Sequence, residues 1–293
     1  MWIQKVPAGG VEGLAFSPDG RTLYAADRSG RVTAWDVLAR TPTTLHQLVK
    51  SRPWNKHTLQ ITADGRFVVA GGEWMAVVDT TGAGDHFILP REFNRYSARL
   101  DHTRPRVLRL DPHLHQIMSL DLDPRAPGPT FGPWPVVQPP RDFDFSPDGR
   151  TLVVIDSSGV LSEWEVETGQ ELRRVQLMWH TTRPYRVRFS PDGRTLLVFG
   201  DGVRPYDVAS LSPRGEPATC DLFVLAFHPT LPVFFAPNHR RTATLYSLET
   251  GAELRALDFA LGQAIQCVAF SPDGLTCAVG GSNKQFAVFD VDV

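Results

Sequence analysis

One octapeptide, Phe16-Ser17-Pro18-Asp19-Gly20-Arg21-Thr22-Leu23, recurs intact at residues 145–152 and 189–196 and in altered form at 270–276. Weaker copies stand between them: Ile61-Thr62-Ala63-Asp64-Gly65, Leu100-Asp101-His102 and Phe227-His228-Pro229. The seven anchors at 16, 61, 100, 145, 189, 227 and 270 are spaced 45, 39, 45, 44, 38 and 43 residues apart. A long, regular period of about 42 residues means that the chain is an array of small repeated units, each the size of a four-stranded sheet.

The phrase has a physical reading. The apolar anchor ends a strand, and Ser-Pro-Asp-Gly reverses the chain. Proline presets φ, aspartate tolerates the next position, and glycine enters the left-handed region before a new strand starts. In the first unit, residues 22–26 form the second strand, and a polar turn ending at Gly30 leads to a third strand that finishes at Trp35-Asp36. Similar endings recur at Val78-Asp79, Leu120-Asp121, Trp164-Glu165, Tyr206-Asp207, Tyr246-Ser247 and Phe289-Asp290. No segment keeps a 3.6-residue apolar period over three turns, so the chain reads as all-β. The last unit reaches Val293 as its third strand ends, while residues 2–6 are strand-like and have no unit of their own. Pairing this segment onto the last unit would leave no long sheet edge open. The expectation is a single domain over 1–293: a seven-bladed β-propeller of four-stranded antiparallel blades, closed by an N-terminal outer strand in the last blade.

The Trp-Asp and Phe-Asp endings beside Phe-Ser-Pro-Asp-Gly resemble the WD-repeat family of β-propellers over essentially the whole chain. Members of that family carry a His ahead of the inner strand and an Asp between strands two and three, both serving a network around the strand-three Trp. Here the His position is filled only by His180, and the Asp position reads Ser29, Ser158 and Asn283 in the clearest copies. The resemblance implies a scaffold for other proteins.

A net charge of −2 and the lack of an apolar run near 18 residues describe a soluble, cytoplasmic chain without a membrane span or secretion signal. Bulk charge gives no reason to expect nucleic acid as a partner. Cys220, Cys267 and Cys277 have no metal spacing and read as reduced thiols. The preponderance of arginine over lysine reads as the mark of a GC-rich genome. The proline-rich stretches at 124–140 and 213–217 read as irregular loops in the outer parts of the third and fifth units.

No catalytic, phosphate-loop or zinc motif occurs, so no catalytic residue, metal or cofactor is assigned. Alternation in the inner strands turns Arg99, Asp144 and Arg188 toward a central channel at one level, with Asp142 beside Arg186 at another. They are expected to form cross-blade ion pairs in water, worth about 0–1 kcal/mol each; a small charged ligand is the alternative. The loops between successive units gather Arg52, Trp54, His57, Phe93, Arg95, Tyr96, Trp134, Arg141, Trp179, Arg183 and Tyr185 on one face. Tryptophan and arginine dominate interface energetics, so this face is assigned to another protein or an acidic peptide, met by a monomeric chain. An enzyme with a site at the channel mouth and a single-stranded RNA binder on the same basic rim are the rival readings.

Overall fold

The computed structural model describes residues 1–6, 9–47, 59–70, 75–81, 86–89, 98–101, 103–111, 116–123, 125–128, 130, 138–177, 184–220, 224–238, 242–258 and 264–291. Its contacts divide the chain into two compact units. One comprises Met1–Arg95, Phe223–Tyr246 and Glu253–Val293, the other Tyr96–Leu222 with Ser247–Ala252.

The described strands form seven antiparallel sheets, each following the chain in order. In the first unit, sheet one holds Val11–Phe16, Thr22–Asp27, Arg31–Asp36 and Thr41–Gln47. Sheet two holds Leu59–Ile61, Phe67–Ala70, Ala76–Asp79 and His86–Ile88. Sheet six holds Ala226–Phe227, Val233–Asn238, Thr242–Ser247 and Glu253–Asp258. Sheet seven runs Ile265–Phe270, Thr276–Gly281, Gln285–Asp290 and takes its outer strand, Trp2–Lys5, from the start of the chain.

That closing ladder pairs Trp2 with Val288, Ile3 with Ala287, Gln4 with Phe286 and Lys5 with Gln285. The Val6 N–H continues it to the Lys284 carbonyl at 2.9 Å. Trp2 also meets the Phe286 ring edge-on at 5.5 Å, and Phe286 meets Trp35 of sheet one at 5.2 Å. The expected N-terminal closure of the last sheet is therefore present.

In the second unit, sheet three holds Ala98–Leu100, Arg106–Asp111, Gln116–Leu122 and Arg125–Pro127. Sheet four holds Pro140–Phe145, Thr151–Asp156, Val160–Glu165 and Glu171–Gln176. Sheet five has three regular strands, Arg186–Phe189, Thr195–Phe199 and Val203–Asp207. Its fourth position is filled by residues 211–218, held by isolated bridges from Val203 to Ala218 and from Tyr206 to Pro213. Pro205, Pro213 and Pro217 have no N–H to give a ladder, which explains why this edge stays irregular.

Both faces of the inner strands are covered, so these strands read as near-continuous apolar runs. From sheet one, Leu14, Phe16, Leu23 and Trp35 pack on Phe286 and Val288 of sheet seven. From its other face, Ala15, Tyr24, Val32 and Ala34 pack on Leu59, Val68 and Val78 of sheet two. In the second unit, Phe143, Phe145 and Trp164 pack on Leu108 and Ile117, and Val153, Ile155 and Leu161 pack on Val187, Phe189 and Tyr206.

The repeated phrase builds a hydrogen-bonded turn. Ser17 Oγ accepts the Thr22 N–H at 2.9 Å and donates to Asp19 Oδ1 at 2.5 Å, while the same Asp19 oxygen takes the Arg21 N–H at 3.0 Å. Ser146, Ser190 and Ser271 repeat these contacts, and Thr62 does so in the second copy. The serine hydroxyl first, and then the backbone N–H two residues on, hold Asp19, Asp148 and Asp273 below the usual carboxylate range.

The turn also touches its neighbour. Gly65 sits at φ +73°, and a Cβ there would lie 3.1 Å from Pro18 Cδ of the preceding copy. Pro272 faces Gly20 and Pro147 faces Gly193 in the same way. The proline of one copy therefore seats on the glycine of the next.

The sixth copy performs the same task with a histidine. His228 Nδ1 accepts the Leu231 N–H at 3.0 Å, so its proton lies on Nε2, which donates to the Gly274 carbonyl at 3.2 Å. The ring lies against Phe270, and burial lowers its pKa, against the raising effect of the Gly274 bond.

Two expectations follow from these contacts. Trp2→Ala removes the Phe286 contact and should cost about 1–2 kcal/mol in urea unfolding; an unchanged midpoint would mean that the closing strand contributes nothing. Because His228 binds its proton more weakly folded than unfolded, neutral His228 contributes stability that is intact above about pH 6.5 and is lost as pH falls below it. His228→Ser, which restores the residue of the intact copies, should flatten the stability profile between about pH 8 and about pH 5 relative to the parent. Parallel profiles would contradict the assignment.

Candidate functional site: a buried arginine–aspartate cluster

In the second unit the first strands of sheets three, four and five bring together Arg99, Asp142, Asp144, Arg186 and Arg188. Asp142 is the common partner. Its Oδ1 accepts Arg99 Nη2 at 3.1 Å, and its Oδ2 accepts Arg188 Nη1 at 2.7 Å and the Val187 N–H at 3.2 Å. Arg186 Nε stands 4.0 Å from the same Oδ2, in ion-pair range. Asp144 Oδ2 accepts the Phe189 N–H at 2.8 Å.

This arrangement differs from the expected one in two respects. Asp142 gathers the arginines at 99 and 188 as well as 186. The group is also buried rather than solvated: Asp142 is 2% and Arg99 7% exposed. The first arises because the long arginine side chains reach between levels: pairing is regular from Asp142 to Phe145, so both carboxylates keep the face that alternation gives them. The second follows from the packing of successive sheets, which stacks Phe143 and Phe145 in the core directly beside the two carboxylates.

The carboxylates have a backbone task as well. Arg186–Phe189 is the edge strand of sheet five, paired on one side only. The N–H groups of Val187 and Phe189 need acceptors, and Asp142 and Asp144 of the preceding sheet supply them. Burial lowers the Arg186 pKa, and the charge of Arg99 acts in the same direction, against the opposing pull of Asp142. The Arg186 guanidinium also lies 5.5 Å from the Phe199 ring centre.

Of the residues assigned to a partner face, Arg52, Trp54, His57, Phe93, Arg95, Tyr96, Trp134, Trp179 and Arg183 lie outside the described residues. Arg141 is exposed at the start of the sheet-four edge strand, next to Asp142. Tyr185 is half-buried next to Arg186, its N–H bonded to the Phe199 carbonyl at 2.9 Å. Cys267 and Cys277 are free and buried, and burial pushes both thiols up.

Two polar residues escaped the sequence reading. Asp27 Oδ1 accepts the N–H and hydroxyl of Ser29 and the N–H of Arg31; Asp156 Oδ1 does the same for Ser158 and Val160. These carboxylates, two residues ahead of the position where the family has its Asp, fix the turn between strands two and three. The signal was available as Asp-x-Ser-Gly in both copies. The network around the strand-three tryptophans is thin: Trp164 Nε1 donates to Ser162 at 2.9 Å, and Trp35 Nε1 has no hydrogen-bond partner among the described residues.

The sequence matches the family model "WD domain, G-beta repeat" over residues 4–36 and 257–290, the first and last of the seven repeats over which the resemblance was read. Comparison with curated proteins gives no match. Among solved structures, the chain is similar to the Cps50 (Swd1) β-propeller domain of Myceliophteria thermophila, with 15% identity and a TM-score of 0.77, covering 99% of this chain and 100% of that one. The seven sheets and this likeness define an all-β, seven-bladed β-propeller fold. Proteins with WD repeats typically act as scaffolds for protein interaction.

Asp142→Asn leaves buried Arg99 and half-buried Arg186 and Arg188 short of their shared charge and should cost about 3–5 kcal/mol. Asp144→Asn keeps an oxygen for the Phe189 N–H and should cost less. Equal losses in paired denaturation curves would contradict the central role of Asp142.

Proposed function

We propose that this chain is a non-catalytic, cytoplasmic scaffold, working as one propeller domain over 1–293, which binds another protein or an acidic peptide through its arginine- and tryptophan-rich loop face. The observation that carries the reading is the WD repeat match at both ends of an all-β repeat, since that class serves mainly to present loops to partners. Two residues of that face are described: Arg141, which is exposed, and Tyr185, which is half-buried. An exposed arginine suits an acidic partner, because the guanidinium forks onto carboxylates.

The test compares proteins captured from the source lysate by the parent chain with those captured by Trp54→Ala, Trp179→Ala and Arg141→Ala. Loss of the same captured protein from all three variants is expected, with little dependence on salt. Identical captures would reject the face. Binding that collapses steeply with added salt and needs RNA would favour the nucleic-acid reading instead.

A further inference from the structure

Six carboxylates are buried among the described residues: Glu12, Asp27, Asp101, Asp142, Asp144 and Asp156. The five aspartates each accept a backbone N–H, from Ser29, Thr103, Val187, Phe189 and Ser158 in turn. Such bonds are what ordinarily make a buried carboxylate tolerable. Glu12 is the exception. It is 8% exposed, and among the described residues no hydrogen bond reaches its side chain. Its one described ion pair is with Arg28, whose Nε stands 3.9 Å from Oε1, outside hydrogen-bonding range.

A bulge puts Glu12 there. Val11 pairs with Asp27 and Gly13 with Ala26, so Glu12 is the extra residue in the inner strand of sheet one. Sheet seven has the same shift between Ile265 and Cys267, with half-buried Gln266 as its extra residue. Both lie four residues ahead of their anchors, Phe16 and Phe270. The two strands pack together, and Cys267 Sγ donates to the Val11 carbonyl at 3.5 Å. Burial raises the Glu12 pKa, against the lowering charge of Arg28.

What Glu12 suits is a donor that carries positive charge. Arg28 does not serve as one, since 55% of its side chain lies open to solvent and its Nε is too far away to bond. Glu12 keeps 10% of its side-chain surface exposed, so a ligand would meet it tip first. The nearby Arg28 need not leave, because one carboxylate can hold two guanidiniums, as Asp142 holds Arg99 and Arg188. We propose that Glu12 anchors a basic side chain of a bound peptide, an arginine guanidinium or a lysine ammonium at the end of its slender stem. The proposal rests on the scaffold reading and adds a basic residue to the partner, but it uses none of the residues assigned to the loop face.

The experiment uses N-acetylarginine amide and N-acetyllysine amide as probes, at constant ionic strength maintained with sodium chloride. N-acetylcitrulline amide, which has the shape of the arginine probe without its charge, is the control. Titration calorimetry on the parent chain should detect saturable binding of at least one cationic probe and none of the control. The stronger of the two tells guanidinium from ammonium. Glu12→Gln should weaken that binding by roughly tenfold or more, whereas Arg150→Gln, which alters an exposed turn arginine, should bind as the parent does. Without probe, Glu12→Gln should melt no lower than the parent, because it buries an amide in place of a charge that no hydrogen bond compensates. Binding of neither cationic probe would overturn the proposal, and so would equal binding by Glu12→Gln. A marked fall in the Glu12→Gln midpoint would overturn it too, since the carboxylate would then be serving the fold. The probes need no residue of the loop face, so a failure here leaves that face standing, and rejection of the face leaves this binding to be measured.

Discussion

The contact on which the architecture depends is small: the proline ring of one repeat resting on the glycine of the next. A sheet of three or four short strands cannot bury both faces alone, so each copy needs a fixed relation to its neighbours. The Ser–Asp hydrogen bonds make the turn rigid within a copy, and the proline–glycine contact passes that rigidity to the following one. Pro18 against Gly65, Pro272 against Gly20 and Pro147 against Gly193 are the same device used three times. Where the phrase is worn, other side chains take over the position: His228 against Gly274, and Thr103 against Gly149. The substitutions differ chemically but fill the same place.

Buried polar groups show the same economy of means. Asp27 and Asp156 sit at strand ends and satisfy the N–H groups of the next turn, so burying them completes hydrogen bonding that the backbone would otherwise lack. Asp142 and Asp144 do this across sheets, for an edge strand with one paired side. Burying an ion is costly, and what offsets the cost here is that each carboxylate meets both main-chain donors and, at Asp142, guanidiniums.

Much of this was legible in the sequence, because repetition multiplies weak evidence. Phe-Ser-Pro-Asp-Gly fixes the turn chemistry four times over, and the missing outer strand after Phe289-Asp290 called for a partner that residues 2–5 supply. Side-chain geometry was less legible. Asp142 and Asp144 keep the face that alternation gives them, but no pattern of apolar residues says which arginine reaches which carboxylate. The irregular edge of sheet five was half visible, since Pro213 and Pro217 marked a loop but not the bridges at Tyr206 and Val203. Asp27 and Asp156 were missed because attention fell on the position where relatives place their Asp, two residues later.

A double-mutant cycle on Pro18 and Gly65 tests the turn-to-turn contact most directly. Gly65→Ala in the parent places a methyl 3.1 Å from Pro18 Cδ, in addition to the strain of a left-handed residue. In a Pro18→Ala background the ring is gone and only the backbone strain is left. The account predicts that Gly65→Ala is less destabilising there, by about 0.5 kcal/mol or more of coupling. Strictly additive losses would show that consecutive turns do not bear on one another, and would contradict it.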